Sequence, residues 1–151
     1  MANGQRRSPS HILTDKEIES LLQDAKAIDI PTDVLKFNVG NRTGFSDLEE
    51  MIHIRGDVLP DINSDNLRDL LSQKAVLAHE YYGQYKAHPS KFRIDDWRDE
   101  FQASYRAAID TPNLSDEDRR MLMLDAYDRA KEAGVKVNYN SVARRIIYGY
   151  E

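Results

Sequence analysis

The chain lacks cysteine at all 151 of its positions. Disulfide bonds, thiolate metal sites and cysteine nucleophiles are therefore excluded. Long apolar stretches are missing as well, because the longest runs, residues 75–78 and 121–124, are far too short to cross a bilayer. Any metal ion would have to be held by histidine, carboxylate, amide or water ligands.

The sequence also has no excess of basic residues, with 26 acidic against 21 basic side chains and a net charge of −5. Because phosphate binding requires a basic surface, this balance argues against nucleic acid as a partner. Residues 1–10 are polar throughout, which is typical of a linker and unlike a signal peptide. We therefore expect a flexible segment over residues 1–10 and a single soluble domain over residues 11–151, without a membrane partner.

The first part of the chain predicts one helix and a small sheet. Thr14 followed by Glu17 forms a capping box, and apolar residues at helical spacing then indicate a helix over residues 15–28. Residues 34–37 are typical of a short strand, and the glycine-containing stretch after them is typical of a turn. Residues 51–55 alternate apolar and polar side chains, as a half-buried strand does. We expect these strands to form a mostly antiparallel sheet.

Beyond residue 64 the pattern becomes helical. An apolar stripe predicts one long helix over residues 64–85, which ends before Pro89. Further helices are expected over residues 97–109, over 115–134 between a serine cap and a terminal glycine, and over 141–148. The fold class is thus α+β, with the small sheet packed on the long helix and further helices following it.

The long helix carries the sequence His79-Glu80-Tyr-Tyr-Gly83-Gln84 near its end. On a helix, zinc peptidases place a histidine ligand directly before a glutamate, which takes a proton from metal-bound water. Their usual second histidine lies four positions after the first, where this chain has Gly83. A rarer form places it five positions along, where this chain has Gln84.

An offset of five separates two side chains by roughly 140° on a regular helix. The side chains converge only if the helix bulges, and bulges of the π type cluster at functional sites. Gly83 lies where such a bulge would be and tolerates unusual backbone geometry. If the next helix folds back, Glu100 can supply a carboxylate ligand. We therefore expect His79, Gln84 and Glu100 to face one cleft, with a helix irregularity near Gly83.

These residues carry a family resemblance. Residues 79–84 and the Asp-Glu-Phe-Gln-Ala stretch at 99–103 resemble the pattern H-E-x-x-G-H followed by E-E-x-R-A of dipeptidyl peptidase III. From Ile12 onward the chain is similar to the zincin-like metallopeptidase toxin domains of bacterial polymorphic toxins, through its Trp-x-x-Glu-Phe segment at 97–101 and its Asn-Leu-Ser-Asp-Glu-Asp-Arg-Arg segment at 113–120.

The resemblance implies a zincin-like fold in which His79, position 84 and Glu100 bind zinc and Glu80 is the catalytic base. It also implies hydrolysis of a peptide bond in a protein or peptide substrate. The domain would be secreted, or delivered as part of a larger bacterial protein, and would have an immunity protein as a partner. In zincins the edge strand beside the active-site helix pairs with extended substrate, and residues 51–55 are the candidate for that strand.

Gln84 departs from the family pattern, because an amide is a poor zinc ligand. With two good ligands left, we expect zinc to bind weakly or not at all and the chain to be inactive. Two explanations stay open: a natural substitution that makes a pseudoenzyme, and an engineered inactivation of a toxic domain. Two other functions also stay open, a catalytically dead zincin-shaped interaction module and a structural domain of a larger secreted protein.

Overall fold

The structure is a computed structural model of the chain, and it describes residues 8–87 and 96–149. Residues 1–7, which make up most of the expected flexible segment, lie outside the described residues. The described residues form six α-helices, three strands, two short 3₁₀ turns and one π-helix. The α-helices are α1 Asp15–Ala27, α2 Leu67–Leu70, α3 Gln73–Ala78, α4 Trp97–Asp110, α5 Asp116–Glu132 and α6 Ser141–Tyr148; the strands are β1 Leu35–Phe37, β2 Gly44–Ser46 and β3 Met51–Ile54; the 3₁₀ turns are Thr32–Val34 and Gly56–Val58; the π-helix is His79–Tyr85.

The first helix begins with the predicted capping box. The Thr14 hydroxyl accepts the backbone N–H of Glu17 at 3.1 Å, and the Thr14 N–H donates to the Glu17 carboxylate at 2.8 Å. Both bonds satisfy backbone groups that the helix itself cannot pair, so they fix its first residue. The helix then buries Leu21 and Ala25 completely, which confirms the apolar face read from the sequence.

The sheet is mixed, with β3 in the middle, antiparallel to β2 and parallel to β1. The expectation of a mostly antiparallel sheet is therefore wrong for β1. Ile52 and Ile54 are completely buried, as the alternation in β3 predicts. The sequence did not predict β2, because a three-residue strand that begins with glycine is too short to show a period.

The expected single helix over residues 64–85 is wrong in its first half. Leu71 has extended backbone (φ −60°, ψ 136°) and ends α2, with its side chain buried. The Ser72 hydroxyl then accepts the backbone N–H of Ala75 at 3.0 Å and so caps a new helix. Only α3 is continuous with the π-helix, and this joined helix carries the motif.

The three C-terminal helices follow the predicted bounds closely. Side chains of Asp96, Ser115 and Asn140 cap α4, α5 and α6 in turn. Gly134, with a φ of 76°, supplies the left-handed turn after α5. Helix α4 packs against both α5 and the π-helix, so it joins the motif to the helical half of the domain.

The core lies where α1, the sheet, α3 and the C-terminal helices meet. The largest completely buried apolar side chains are Leu21, Ile28, Ile52, Ile54, Val58, Leu77, Leu122 and Met123. Tyr82 of the π-helix donates its hydroxyl proton to the Ile28 carbonyl at 2.6 Å, and burial raises the pKa of Tyr82 to about 12. In the part of the chain that the structure describes, no helix is both long and apolar enough to span a bilayer.

Candidate active site

The motif residues lie on the π-helix, which begins at His79 and ends at Tyr85. The backbone N–H of Lys86 donates to the carbonyl of Tyr81 at 2.8 Å, a bond that spans five residues where an α-helix spans four. This wider turn brings positions 79 and 84 to one side of the helix. His79 and Gln84 are both buried and line the same cleft as Glu100, so the predicted convergence and the predicted irregularity are confirmed.

Gly83 lets the π-helix touch α4 backbone to backbone. A Cβ atom at Gly83 would lie 2.4 Å from the carbonyl oxygen of Ala103, closer than real Cβ contacts allow. Glycine is therefore required here for close approach, since its φ lies outside the left-handed region. The contact also explains why Ala103 is small, and it sets His79 opposite the first turns of α4.

The His79 imidazole bridges two side chains of α4. Its Nδ1 lies 2.8 Å from the Ser104 hydroxyl, and its Nε2 lies 2.7 Å from the Glu100 carboxylate. The His79 side chain is 6% exposed, whereas the Glu100 side chain is 41% exposed at the cleft surface. Nε2 therefore points toward the cleft and Nδ1 toward the interior.

A buried chain of hydrogen bonds fixes which nitrogen carries a proton. Ser104 donates its hydroxyl proton to the Asp125 carboxylate at 2.6 Å, and Asp125 also accepts from Arg129 Nε at 3.3 Å. Because Ser104 donates its only hydroxyl proton to Asp125, its oxygen must accept from His79 Nδ1–H. The Nε2 lone pair is then the one available to a metal ion. Metal-binding histidines commonly donate their other ring N–H to a protein acceptor in this way.

The two partners of His79 also set its charge. Burial by itself lowers the pKa of the His79 imidazole, but the charge and hydrogen bond of Glu100, together with the charge of Glu80, outweigh burial and the pKa is raised above its ordinary value. Arg129 lies 3.8 Å from the same Glu100 oxygen and opposes this effect. When the ring carries a proton on both nitrogens, its Nε2–H donates to the Glu100 carboxylate at 2.7 Å.

Glu80 lies beside His79 and lines the same cleft. Burial raises the pKa of its carboxyl group, and the neighbouring Glu100 adds to the increase while His79 opposes it. A raised pKa makes the carboxylate a stronger base, which favours a role as general base.

The cleft has a volume of about 400 Å³ and lies between the sheet and the helices. Residues 41–45, which include the first two residues of β2, form one wall of the cleft. Thr43 secures this wall, because its hydroxyl donates to the Asp57 carboxylate at 2.6 Å and its N–H donates there at 2.9 Å. Phe45 of β2 packs edge-on against the ring of Tyr85 at 5.7 Å, which joins the wall to the π-helix.

The proposed substrate-binding edge at residues 51–55 is wrong. β3 contacts the π-helix as expected, but it is hydrogen-bonded on both sides and has no edge to offer. β2 pairs with β3 on one side, and no other strand among the described residues pairs with it. The strand edge at the cleft therefore belongs to β2.

Sequence reasoning found the residues of the motif and missed those that support them. Ser104, Asp125 and Arg129 carry no motif signal, because they meet His79 only when α4 and α5 pack. One signal was present in the spacing of Asp125 and Arg129, four residues apart on a helix, which favours an ion pair.

Ser104, His79 and Glu100 follow one another through hydrogen bonds in the order of a catalytic triad. Ser104 is completely buried, however, and its proton goes to Asp125 rather than to His79. A nucleophilic serine needs both access to substrate and a base that takes its proton. This serine has neither, so it supports His79 and does not attack substrate.

The donor set falls short of a zinc site. Catalytic zinc is held by three protein ligands of imidazole, thiolate or carboxylate type. Among residues 8–87 and 96–149, no group of three such side chains is placed to hold a metal ion. His79 and Glu100 are strong donors, whereas Gln84 offers an amide. The residues thus have the arrangement of the motif but do not fit its ligand chemistry.

Comparison of the chain with models of protein families, with curated proteins and with solved structures found no match. The resemblance to zincin-like toxin domains and to dipeptidyl peptidase III therefore stays a prediction from the sequence motifs.

Proposed function

We propose that the chain is a zincin-like metal-hydrolase domain whose zinc site is incomplete at Gln84. The parent activity is hydrolysis of a peptide bond in a protein or peptide. One observation carries the proposal: a π-helix brings His79 and Gln84 into the cleft that Glu100 and Glu80 also line. An ordinary helix would not bring positions five apart together, so a rare backbone feature coincides with the motif that needs it.

The proposed roles follow from the chemistry of the side chains. His79 through Nε2 and Glu100 through its carboxylate would hold zinc, with a histidine at position 84 as the third ligand. Zinc would polarise the substrate carbonyl and acidify a bound water. Glu80 would accept the proton from the attacking water, and its raised pKa supports that role. Extended substrate would lie along β2, whose edge borders the cleft.

The second candidate is a catalytically dead interaction module with the same shape. Gln84 favours it, because the chain as written has two strong zinc donors rather than three. In either case the toxin resemblance leads us to propose delivery as part of a larger bacterial protein and an immunity protein as partner. Metal content and activity separate the two candidates.

The test is a zinc titration of three proteins by calorimetry, with elemental analysis and a peptidase assay. The chain itself should bind little zinc and cleave nothing. Gln84→His should take up about one zinc per chain, because a third imidazole or carboxylate ligand completes the site. Adding Glu80→Gln to that variant should keep the zinc and abolish hydrolysis, because only the base is lost.

Gln23→His is the matched control, since it adds an imidazole at an exposed position of α1. The proposal fails if Gln84→His binds no more zinc than Gln23→His does. If Gln84→His binds zinc stoichiometrically but hydrolyses no peptide or protein, the proposed metal ligands are supported. The interaction module is then the better candidate for the function.

A further inference from the structure

Residues 134–140, between α5 and α6, have the sequence of a strand but are not paired as one. Val135, Val137 and Tyr139 alternate with Lys136, Asn138 and Asn140 after a glycine. Alternating β-branched and aromatic residues favour a half-buried strand. In the part of the chain that the structure describes, this segment belongs to no sheet.

The backbone of this segment is open to a partner in its middle, whereas the Tyr139 and Asn140 carbonyls accept from Arg144 at 2.9 and 3.0 Å. The N–H groups of Gly134 and Val135 donate to the carbonyls of Lys131 and Ala130 at the end of α5. Those of residues 136–139 donate to no other described backbone group. Val135 and Val137 are 40% and 39% exposed, whereas the third apolar residue, Tyr139, packs its ring against Tyr127 at 4.8 Å. The two valines are therefore the uncovered part of the alternation. An exposed unpaired strand is a template for pairing with another chain.

Two grooves flank the segment and share Tyr127, Val137 and Asn138. One groove, of about 640 Å³, runs along α5 and includes Leu67 and Leu124. The other, of about 400 Å³, lies over α4, where the Phe101 and Tyr127 rings meet edge to face at 4.9 Å. Apolar side chains of an added strand would therefore find a groove next to the segment.

The charges around the grooves select an acidic partner. Lys131 and Lys136 line the larger groove and Arg106 the smaller, against Asp128 as the one acid among both linings. Arg106 Nη2 donates to the Gln102 side chain, while Nη1 is buried and has no hydrogen-bond partner among the described residues. Because Arg106 lines the smaller groove, a carboxylate there would give its guanidinium a charged acceptor in addition to the neutral Gln102 amide.

We propose that residues 134–140 are a docking strand for an extended, acidic segment of a partner protein. The two backbones pair, alternate apolar side chains enter the grooves beside Tyr127, and a carboxylate bonds Arg106. A second copy of this chain is a poor occupant, because residues 134–140 carry Lys136 and no acidic residue and so offer no charge complementary to the grooves. This surface does not include His79 or its cleft, so the inference is independent of the proposed function.

The test uses the peptide acetyl-Glu-Val-Glu-Val-Glu-Val-Glu-amide, titrated into the full chain and followed by backbone NMR. We expect saturable shifts of the amide signals of residues 135–139, with a dissociation constant below about 1 mM. Hydrogen exchange of those amides should slow at least tenfold. The same peptide with lysine in place of glutamate, and one with N-methylated valines, should each bind at least tenfold more weakly.

On the protein side, Arg106→Gln should weaken binding at least fivefold, while Arg145→Gln, which removes an exposed charge on α6, should not. The proposal is overturned if the lysine peptide binds as well as the glutamate peptide, or if residues 135–139 do not respond. It is also overturned if shifts are confined to the β2 edge, or if the same amides shift with protein concentration alone, which would identify a second copy as the occupant.

Discussion

At Gly83 the π-helix and α4 meet without any side chain between them, and this contact can be tested directly. Gly83→Ala would improve helix propensity by up to about 1 kcal/mol. The new methyl group would lie 2.4 Å from the Ala103 carbonyl, and overpacking of this kind typically costs about 1–3 kcal/mol. We therefore expect a net loss in the free energy of unfolding, measured by chemical denaturation.

Gly44→Ala is the control for this substitution, because a Cβ there has no heavy atom within 4 Å. It should leave the free energy of unfolding unchanged or raise it slightly, since alanine is less flexible than glycine in the unfolded chain. Equal losses in the two variants would mean that the close contact at Ala103 does not constrain the helix pair.

Ser104 satisfies two buried groups at once. Ser104→Ala would remove the acceptor of His79 Nδ1–H and the donor to Asp125, and each buried group left unpaired costs about 1–3 kcal/mol. We expect the free energy of unfolding to fall by about 2 kcal/mol or more. We also expect the ring ¹⁵N signals of His79 to move, because the proton on Nδ1 would lose its fixed acceptor.

The matched control is Ser141→Ala, at an exposed position in the first turn of α6. It should change neither the stability nor the His79 signals. A Ser104→Ala protein that is destabilised but keeps its His79 ¹⁵N signals would show that the serine supports packing alone and does not set the ring tautomer.

Among the elements, α1 has an N-terminus that depends on pH. Burial tends to raise the pKa of Glu17, but the Thr14 N–H and the nearby His11 ring outweigh it, and the pKa is lowered from 4.5. A carboxylate with a depressed pKa stabilises the fold above its unfolded pKa, and this stabilisation is lost as the pH falls through the folded value. Glu17→Ala should therefore lower the free energy of unfolding by about 1 kcal/mol at pH 7.

The difference between the native chain and Glu17→Ala should begin to shrink below pH 4.5 and should disappear as the pH falls through the lower pKa of folded Glu17, where the native carboxylate becomes protonated. Glu19→Ala, at an exposed acid of the same helix, is the comparison and should have little effect at any pH. A Glu17→Ala penalty that stays constant from pH 7 to pH 3 would contradict the electrostatic explanation.

The elements that sequence predicted well are those with local signals. Capping side chains at Thr14 and Ser115 and the glycine at 134 fix helix ends through neighbours only a few residues away. The break at Ser72 was missed, although serine is a capping residue, because the apolar stripe continues through it. The parallel pairing of β1 was missed because it depends on residues far apart in the chain.

At the scale of the whole molecule, the candidate site also contains two kinds of residue, those with a local sequence signal and those that only folding brings together. His79, Glu80, Gln84 and Glu100 could be predicted because one helix and the start of the next carry them in a short motif. The wall at 41–45 could not, nor could the support from Asp125 and Arg129, because these parts of the chain meet only in the folded domain. The sequence therefore predicted which motif residues line the cleft, but not the residues that hold them in place.

The position of β3 also governs the order in which the domain can assemble. β3 follows β1 and β2 in the chain yet lies between them, so the two earlier strands have nothing to join until it is made. The β2–β3 hairpin closes a short loop, but a two-stranded ribbon is marginal in water by itself. A nascent or truncated chain that ends before β3, at residue 50 or earlier, therefore leaves Leu35 and Phe45 without their partner Ile52. Such a chain would be exposed to proteolysis and aggregation, and the wall of the cleft can form only after the middle strand has been synthesised.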